Sequence, residues 1–249
     1  MKIVFPELEN PIAKSATQHF SDIDFLSADS LEAAIKMLVA NQADSMISGL
    51  DYTSRDVLLA YKQEIDLKSN YFSSCFICKR EDRTIALADG GVNKHPTKEH
   101  LYTIIEDTAN TFQTFTSNQP KIALLSYSTY GSGGKNPDLE KYQFCLEQIK
   151  TNHPNWLIDG EMQLDAAVNP IVAAKKTPNS PLKGHANILI TPDLNSGNIL
   201  YKSLEQFGNF TIAGPIIQGF QIPLADLSRG STVEDVILTI EVLRSQLLS

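Results

Sequence analysis

Asp226-Leu227-Ser228-Arg229-Gly230-Ser231-Thr232-Val233-Glu234-Asp235 sets a hydroxyl, a guanidinium and several carboxylates around one turn, and that turn opens a helix. Ser231 and Glu234 have the spacing of a capping box, in which each side chain bonds the other residue's backbone N–H. Val233, Val236, Ile237, Ile240, Leu243 and Leu247 then recur at helical spacing, which predicts a final helix with an apolar face. A helix start attracts anions. Arg229 offers a two-pronged donor to phosphate or carboxylate, and Asp235 falls in the first turn. The stretch predicts a docked C-terminal helix whose positive end handles an anionic substrate.

Upstream of it, strand-like and helix-like segments alternate. Strands are predicted over 2–5, 23–26, 45–48, 72–79, 84–88, 121–126, 156–159, 187–190 and 210–213. Helices are predicted over 10–20, 30–41, 53–64, 97–115, 138–151, 165–176 and 196–207, ahead of the last one from 232. Glu81-Asp82 suits a hairpin turn, and Pro170 breaks or starts a helix. Such alternation predicts an α/β fold with a mainly parallel sheet. Ligands of such folds sit beyond the carboxyl ends of the strands. Polar, glycine-bearing segments fall there, at 89–93, 126–134, 192–198 and 214–219.

The 249 residues are enough for one large domain or two smaller ones. A net charge of −8 and a pI near 5.1 argue against a broad nucleic-acid footprint, while a local basic cluster can still hold an anion. No stretch approaches the roughly 20 apolar residues of a membrane span. The apolar run after Met1 is too short for a signal peptide. The expected compartment is the cytoplasm, which suits three cysteines that cannot all pair. Cys75-Phe76-Ile77-Cys78 has CxxC spacing, but it lies in a strand-like run without a second pair and reads as buried strand.

Ser126-Tyr127-Ser128-Thr129-Tyr130-Gly131-Ser132-Gly133-Gly134 offers backbone N–H groups and hydroxyls that can cradle a phosphate or an acyl oxygen. By composition it is equally a plain surface loop. It matches neither the Walker pattern nor GxGxxG. Asp193-Leu194-Asn195-Ser196-Gly197-Asn198 reads as an Asx turn capping the next helix, with Lys202 further on reaching a phosphate or solvent. Asp159, Glu161 and Asp165 could hold Mg²⁺, yet turn and cap roles explain Asp159 and Asp165, and no metal is expected. No histidines have paired ligand spacing. No serine sits in a GxSxG elbow, so a covalent hydrolase is not indicated.

Short blocks, in order along the chain, carry a family likeness. They are Ala43-Asp44-Ser45-Met46-Ile47-Ser48-Gly49, then Ala88-Asp89 with Val92-Asn93 and Pro96-Thr97, then Leu125-Ser126-Tyr127-Ser128-Thr129. Asp159-Gly160, Gln163, Asp165-Ala166-Ala167 and Asn179-Ser180-Pro181 follow. Pro192-Asp193-Leu194-Asn195 with Gly197-Asn198 and Tyr201-Lys202, Gly214-Pro215 with Gln218-Gly219, and Asp226-Leu227-Ser228-Arg229-Gly230 close the series. From about Ala43 to Leu247 the chain resembles the phosphate acetyl/butyryltransferase family. Pro6-Glu7 also looks like that family's opening strand end.

The resemblance implies two α/β/α domains of the isocitrate/isopropylmalate-dehydrogenase-like fold with a cleft between them. Residues 1–78 and 220–249 would form the first and 79–219 the second. It implies the reaction acetyl-CoA plus phosphate to acetyl phosphate plus CoA by direct attack. Coenzyme A is then a substrate, and no covalently bound cofactor is expected. It further implies a cytoplasmic homodimer with no nucleic-acid or membrane partner. On the matching positions Asp235 is the base for the CoA thiol, Arg229 the clamp on phosphate or carbonyl, and Ser228 a transition-state donor. Ser126, Ser128, Thr129, Gly131, Asn195, Lys202, Gln218, Gly219 and Thr53 are the expected substrate-binding positions. An ordinary carboxylate and an ordinary thiol are mismatched by about 4.6 pK units. Such a base needs a desolvated cleft, a stabilised thiolate, or a proton that moves only as attack proceeds.

Two departures stand beside the likeness. The chain is shorter than the family's usual members, almost entirely before Ala43. Tyr52 and Leu59 stand where the family has His and Arg, with Arg55 one turn before Leu59 and Lys68 near the position of a second substrate arginine. Losing a charge-assisted bond costs about 1.5–3 kcal/mol. The departures motivate a rival reading, a catalytically weakened homologue that binds CoA or acyl phosphate as a sensor or partner subunit. A third reading, another enzyme of the same superfold, lacks a dinucleotide fingerprint.

Overall fold

A computed structural model describes residues 1–68, 71–135 and 137–249. Along the chain, β1 (Lys2–Val4), α1 (Pro11–Thr17), β2 (Asp24–Leu26), α2 (Leu31–Val39), β3 (Ser45–Ser48) and α3 (Ser54–Glu64) come first. β4 (Ser73–Arg80), β5 (Arg83–Ala88), α4 (Lys98–Thr116), β6 (Lys121–Leu125), α5 (Leu139–Asn152) and β7 (Leu157–Met162) follow. Next come α6 (Leu164–Val168), α7 (Pro170–Lys176), β8 (Ile188–Ile190) and α8 (Leu194–Gly208). β9 (Thr211–Gln218), β10 (Leu224–Asp226) and α9 (Val233–Leu247) end the chain.

Most helices start on a side chain that satisfies a backbone N–H which the helix itself leaves unpaired. Asn10 accepts from the amide of Ile12 ahead of Pro11, Ser30 from Ala33, Thr53 from Asp56, Thr97 from His100 and Asp193 from Ser196. Asn169 caps α7, whose first residue is Pro170, a position where the missing proline N–H costs nothing.

Two compact units divide the chain: Met1–Phe72 with Phe210–Ser249, and Ser73–Asn209. These bounds differ from the expected 78/79 and 219/220. β4 pairs along its length with β5 and is not cut at 78/79, while β9 packs on α9 and pairs with β10 and so falls whole in the first unit.

In the first unit the strand order is β2-β1-β3-β10-β9. β2, β1, β3 and β10 are parallel, and β9 is antiparallel to β10. α2 and α3 pack on β1, β3 and β10, while α9 packs on β9, β10 and α1. Covered strands need no polar face, and all four residues of β3 are buried. In the second unit the order is β4-β5-β8-β6-β7. β4 and β5 form the expected hairpin, with Arg80 opposite Arg83, and the others run parallel. The CxxC is part of β4, with both side chains buried and neither in a disulfide.

The structure also corrects the reading in places. β10 was not expected, because three residues after Pro223 carry no alternation. β9 runs through Gly214-Pro215 to Gln218, where the dipeptide reads as a strand end; Gly214 has a positive φ of 101° within it, a conformation that glycine adopts readily. The break expected at Pro170 is present: α6 ends at Val168 and α7 starts at Pro170, with Asn169 between them. The capping box lies one residue later than Ser231/Glu234. It is formed by Thr232 and Asp235, because the Ser231 hydroxyl instead accepts from the Ser228 amide at 3.2 Å and closes the preceding turn.

Candidate functional site

In the first unit, the turn before α9 is built on its own bonds. The Ser228 hydroxyl accepts from the Gly230 amide at 3.2 Å, and the Ser231 amide donates to the Ser228 carbonyl at 2.9 Å. Arg229 is exposed at its tip and Ser228 half-buried. Asp235 is only 4% exposed. Its Oδ2 accepts from the Thr232 amide and hydroxyl, both at 2.8 Å, and its Oδ1 from the Ile212 amide at 2.7 Å. One turn on, the Thr239 hydroxyl accepts from the Gly214 amide at 3.0 Å. Asp235 and Thr239 thus bind β9 to α9. The Asp235 carboxylate is engaged in this architecture, and its bonds are to Thr232 and Ile212 rather than to Ser228 or Arg229.

Of the other expected positions in this unit, Thr53 uses its hydroxyl to cap α3 and to donate to the Asp56 carboxylate at 2.7 Å. Gln218 is buried at the end of β9. Gly219 has φ 91°, and a Cβ there would lie 2.5 Å from the Tyr71 carbonyl oxygen, so only glycine fits. Leu59 is half exposed and lines a groove of about 770 Å³ between α2 and α3 with Leu31, Ile35, Val39 and Ala60. None of the expected site residues lines that groove.

Two residues before Ser228, Asp226 forms with Glu7 a pair of buried, interacting carboxylates that carry no role in the sequence pattern. Glu7, 6% exposed, accepts from the amides of Gly49 (3.1 Å), Asp51 (2.8 Å) and Tyr52 (3.3 Å). Asp226, 1% exposed at the end of β10, has no hydrogen-bond partner for either oxygen among the described residues. Burial raises both carboxyls, and pushes Asp226 up to about 7. A charged residue inside Leu224-Ala225-Asp226-Leu227 was the one signal for it.

In the second unit, the loop after β6 is held by its own groups. The Ser126 hydroxyl accepts from the Ser128 amide, the buried Ser128 hydroxyl from the Gly133 amide at 2.9 Å, and the Thr129 hydroxyl from the Gln163 amide at 3.0 Å. The Gly131 amide donates to Glu161 at 3.1 Å, and Gly131 has open space around it at φ 81°. The three carboxylates read as a possible cation cluster are used locally. Asp159 accepts from the Tyr130 hydroxyl, Glu161 from Gly131, and Asp165 pairs with Lys176 at 2.8 Å. Among the described residues no group of three His, Cys, Asp or Glu could hold a metal ion. Asp193 caps α8 as expected, leaving Asn195 exposed in its first turn. Lys202 pairs with Glu205 at 3.2 Å and lies 4.9 Å from the Tyr201 ring centre.

Residues 12–243 match the family described as phosphate acetyl/butaryl transferase. A phosphate acetyltransferase of Haemophilus influenzae is 37% identical over 214 residues, 85% of this chain but only 30% of that relative's length. A phosphotransacetylase from Streptococcus pyogenes superimposes with a TM-score of 0.83 at 31% identity, over 100% of this chain and 94% of the other. A Salmonella typhimurium structure assigned to 4-hydroxythreonine-4-phosphate dehydrogenase aligns at TM-score 0.52 and 10% identity, over 90% and 78% of the two chains, a likeness of fold alone.

Proposed function

Because the chain belongs to the phosphate acetyl/butaryl transferase family, we propose that it transfers an acetyl group between coenzyme A and phosphate. The CoA sulfur attacks the carbonyl carbon of acetyl phosphate, and the bond from that carbon to the phosphate oxygen breaks. The leaving phosphate takes the electron pair, and the thiol proton passes to it directly or by way of Asp235. In reverse, a phosphate oxygen attacks the thioester. Arg229 clamps the phosphate with a guanidinium that a delocalised dianion fits. The Ser228 hydroxyl donates to the oxygen that gains charge, and preorganised donors of this kind lower such barriers. Ser126, Ser128, Thr129, Gly131, Asn195, Lys202, Gln218, Gly219 and Thr53 are the proposed substrate contacts. The protein acts as a homodimer in the cytoplasm, a compartment that suits three cysteines outside any disulfide.

The observation that carries the reading is an exposed Arg229 in the turn leading into α9, inside a chain matched by the family over 12–243. The test is release of CoA thiol from acetyl-CoA. Release that depends on added phosphate is expected, with Arg229→Ala lowering kcat/KM by about tenfold or more, the loss of one charge-assisted bond. Release indifferent to phosphate would remove the assignment. Propionyl- and butyryl-CoA in the same assay set the acyl preference.

A further inference from the structure

We propose that Asp226 is a positioning residue that carries a proton in the arrangement described above and gives it up only by loosening the two turns it lies beneath. The activity arm of this inference rests on the acyl-transfer reading, whereas its structural arm does not.

Asp226 ends β10 where that strand lies beside β3. Immediately after it come Leu227, Ser228 and Arg229. On its other side is the segment after β3: a Cβ added at Gly49 would sit 2.6 Å from Asp226 Oδ1 and 2.4 Å from the Leu227 carbonyl oxygen. The carboxylate is therefore wedged between the segment that leads to Thr53 and the one that leads to Ser228.

The groups facing it are Glu7 from the segment after β1, and Tyr61 and Ser54 from α3. None is basic. The Tyr61 hydroxyl donates to the Ala225 carbonyl at 3.0 Å and meets Ser48 Oγ at 3.4 Å, so it is turned to other partners. Glu7 has collected the amides of Gly49, Asp51 and Tyr52. What remains for an ionised Asp226 is the Ser54 hydroxyl, which faces it short of full hydrogen-bond geometry.

A buried charge without donors is costly, and a second negative charge beside Glu7 adds repulsion. Burial, opposed by Ser54 and reinforced by Glu7, accordingly holds the Asp226 carboxyl at about 7. To ionise, Asp226 needs water or backbone amides. Both adjoining segments must shift to supply them, taking Thr53, Ser228 and Arg229 along. The protonated form keeps these groups as described; the ionised form displaces them.

The experiment labels the aspartate carboxyl carbons of the full chain and follows them by NMR from pH 5 to 9. Asp226 is identified through its connectivity to Leu227 and by the loss of its signal in Asp226→Asn. The expected result is a carboxyl with a midpoint within one unit of pH 7, with the amides of Ser228 and Thr53 shifting at the same midpoint. An Asp226 carboxyl already ionised at pH 5.5 overturns the proposal, as do amides that stay still while it titrates. These readings need no turnover, so they stand even if the acyl-transfer assay fails. Where turnover is present, kcat falls on an alkaline limb near pH 7, and Asp226→Asn moves that limb by more than one unit. An unmoved limb overturns the proposal. If Asp226→Asn fails to fold, the backbone connectivity and the wild-type amide titrations decide alone.

Discussion

Asp235 shows how one residue can satisfy both a local and a tertiary demand. Its spacing after Thr232 makes a capping box, and its second oxygen fixes β9 through the Ile212 amide. Thr232→Ala should cost about 1 kcal/mol, the usual value of a helix cap, read as a lowered denaturation midpoint. Asp235→Ala should cost about 1–3 kcal/mol more, because it leaves the buried Ile212 amide without an acceptor. Asp235→Asn separates this structural role from the catalytic one. If Asp235 is the thiol base, the variant should lose kcat far more than it raises the KM for CoA. A loss carried by KM alone, in CoA-dependent thioester formation, would remove the base assignment.

The elements owe their positions to packing that spacing shows only in part. Val236, Ile240 and Leu243 are buried on α9 as its periodicity predicts, but Leu238, Thr239 and Val242 are buried too, since the helix meets β9 and β10 and also α1. Leu243→Ala should therefore cost about 2–5 kcal/mol, measured by urea unfolding. α8 approaches the 89–90 segment so closely that a Cβ at Gly197 would lie 2.3 Å from the Asp89 carbonyl oxygen. Gly197→Ala must push the helix away and should lower the melting temperature by several degrees, roughly 2–4 °C per kcal/mol lost in a chain of this size. Helix starts were legible because Ser30, Thr97 and Asp193 act within four residues of their own position. β10 was illegible because three residues next to a proline become a strand only by lying between β3 and β9.

At the scale of the whole molecule, the buried Asp226 ties stability to pH. Its carboxyl titrates near 7 in the folded protein and near 3.9 in an unfolded chain. The folded state therefore holds the extra proton between those values. The stability this lends is fully present below about pH 4 and is lost as pH rises through 7. Taken alone, this group should make the protein less stable at pH 8 than at pH 5 by a few kcal/mol, and Asp226→Asn should remove that difference in guanidinium titrations at the two pH values. No helix among the described residues is long and apolar enough to cross a membrane.

The sequence by itself determined the alternation of strands and helices, the helix starts, the hairpin at Glu81-Asp82 and the family likeness. Each depends on spacing along the chain or on short ordered blocks. Only the tertiary structure decided that the second oxygen of Asp235 takes the Ile212 amide, and that Asp226 lies buried near Glu7 without a full hydrogen bond. The first follows from α9 packing on β9, and the second from strands β1, β3 and β10, which bring residues near positions 7, 49 and 226 together. Burial and hydrogen bonding are properties of that meeting, and no local pattern encodes them.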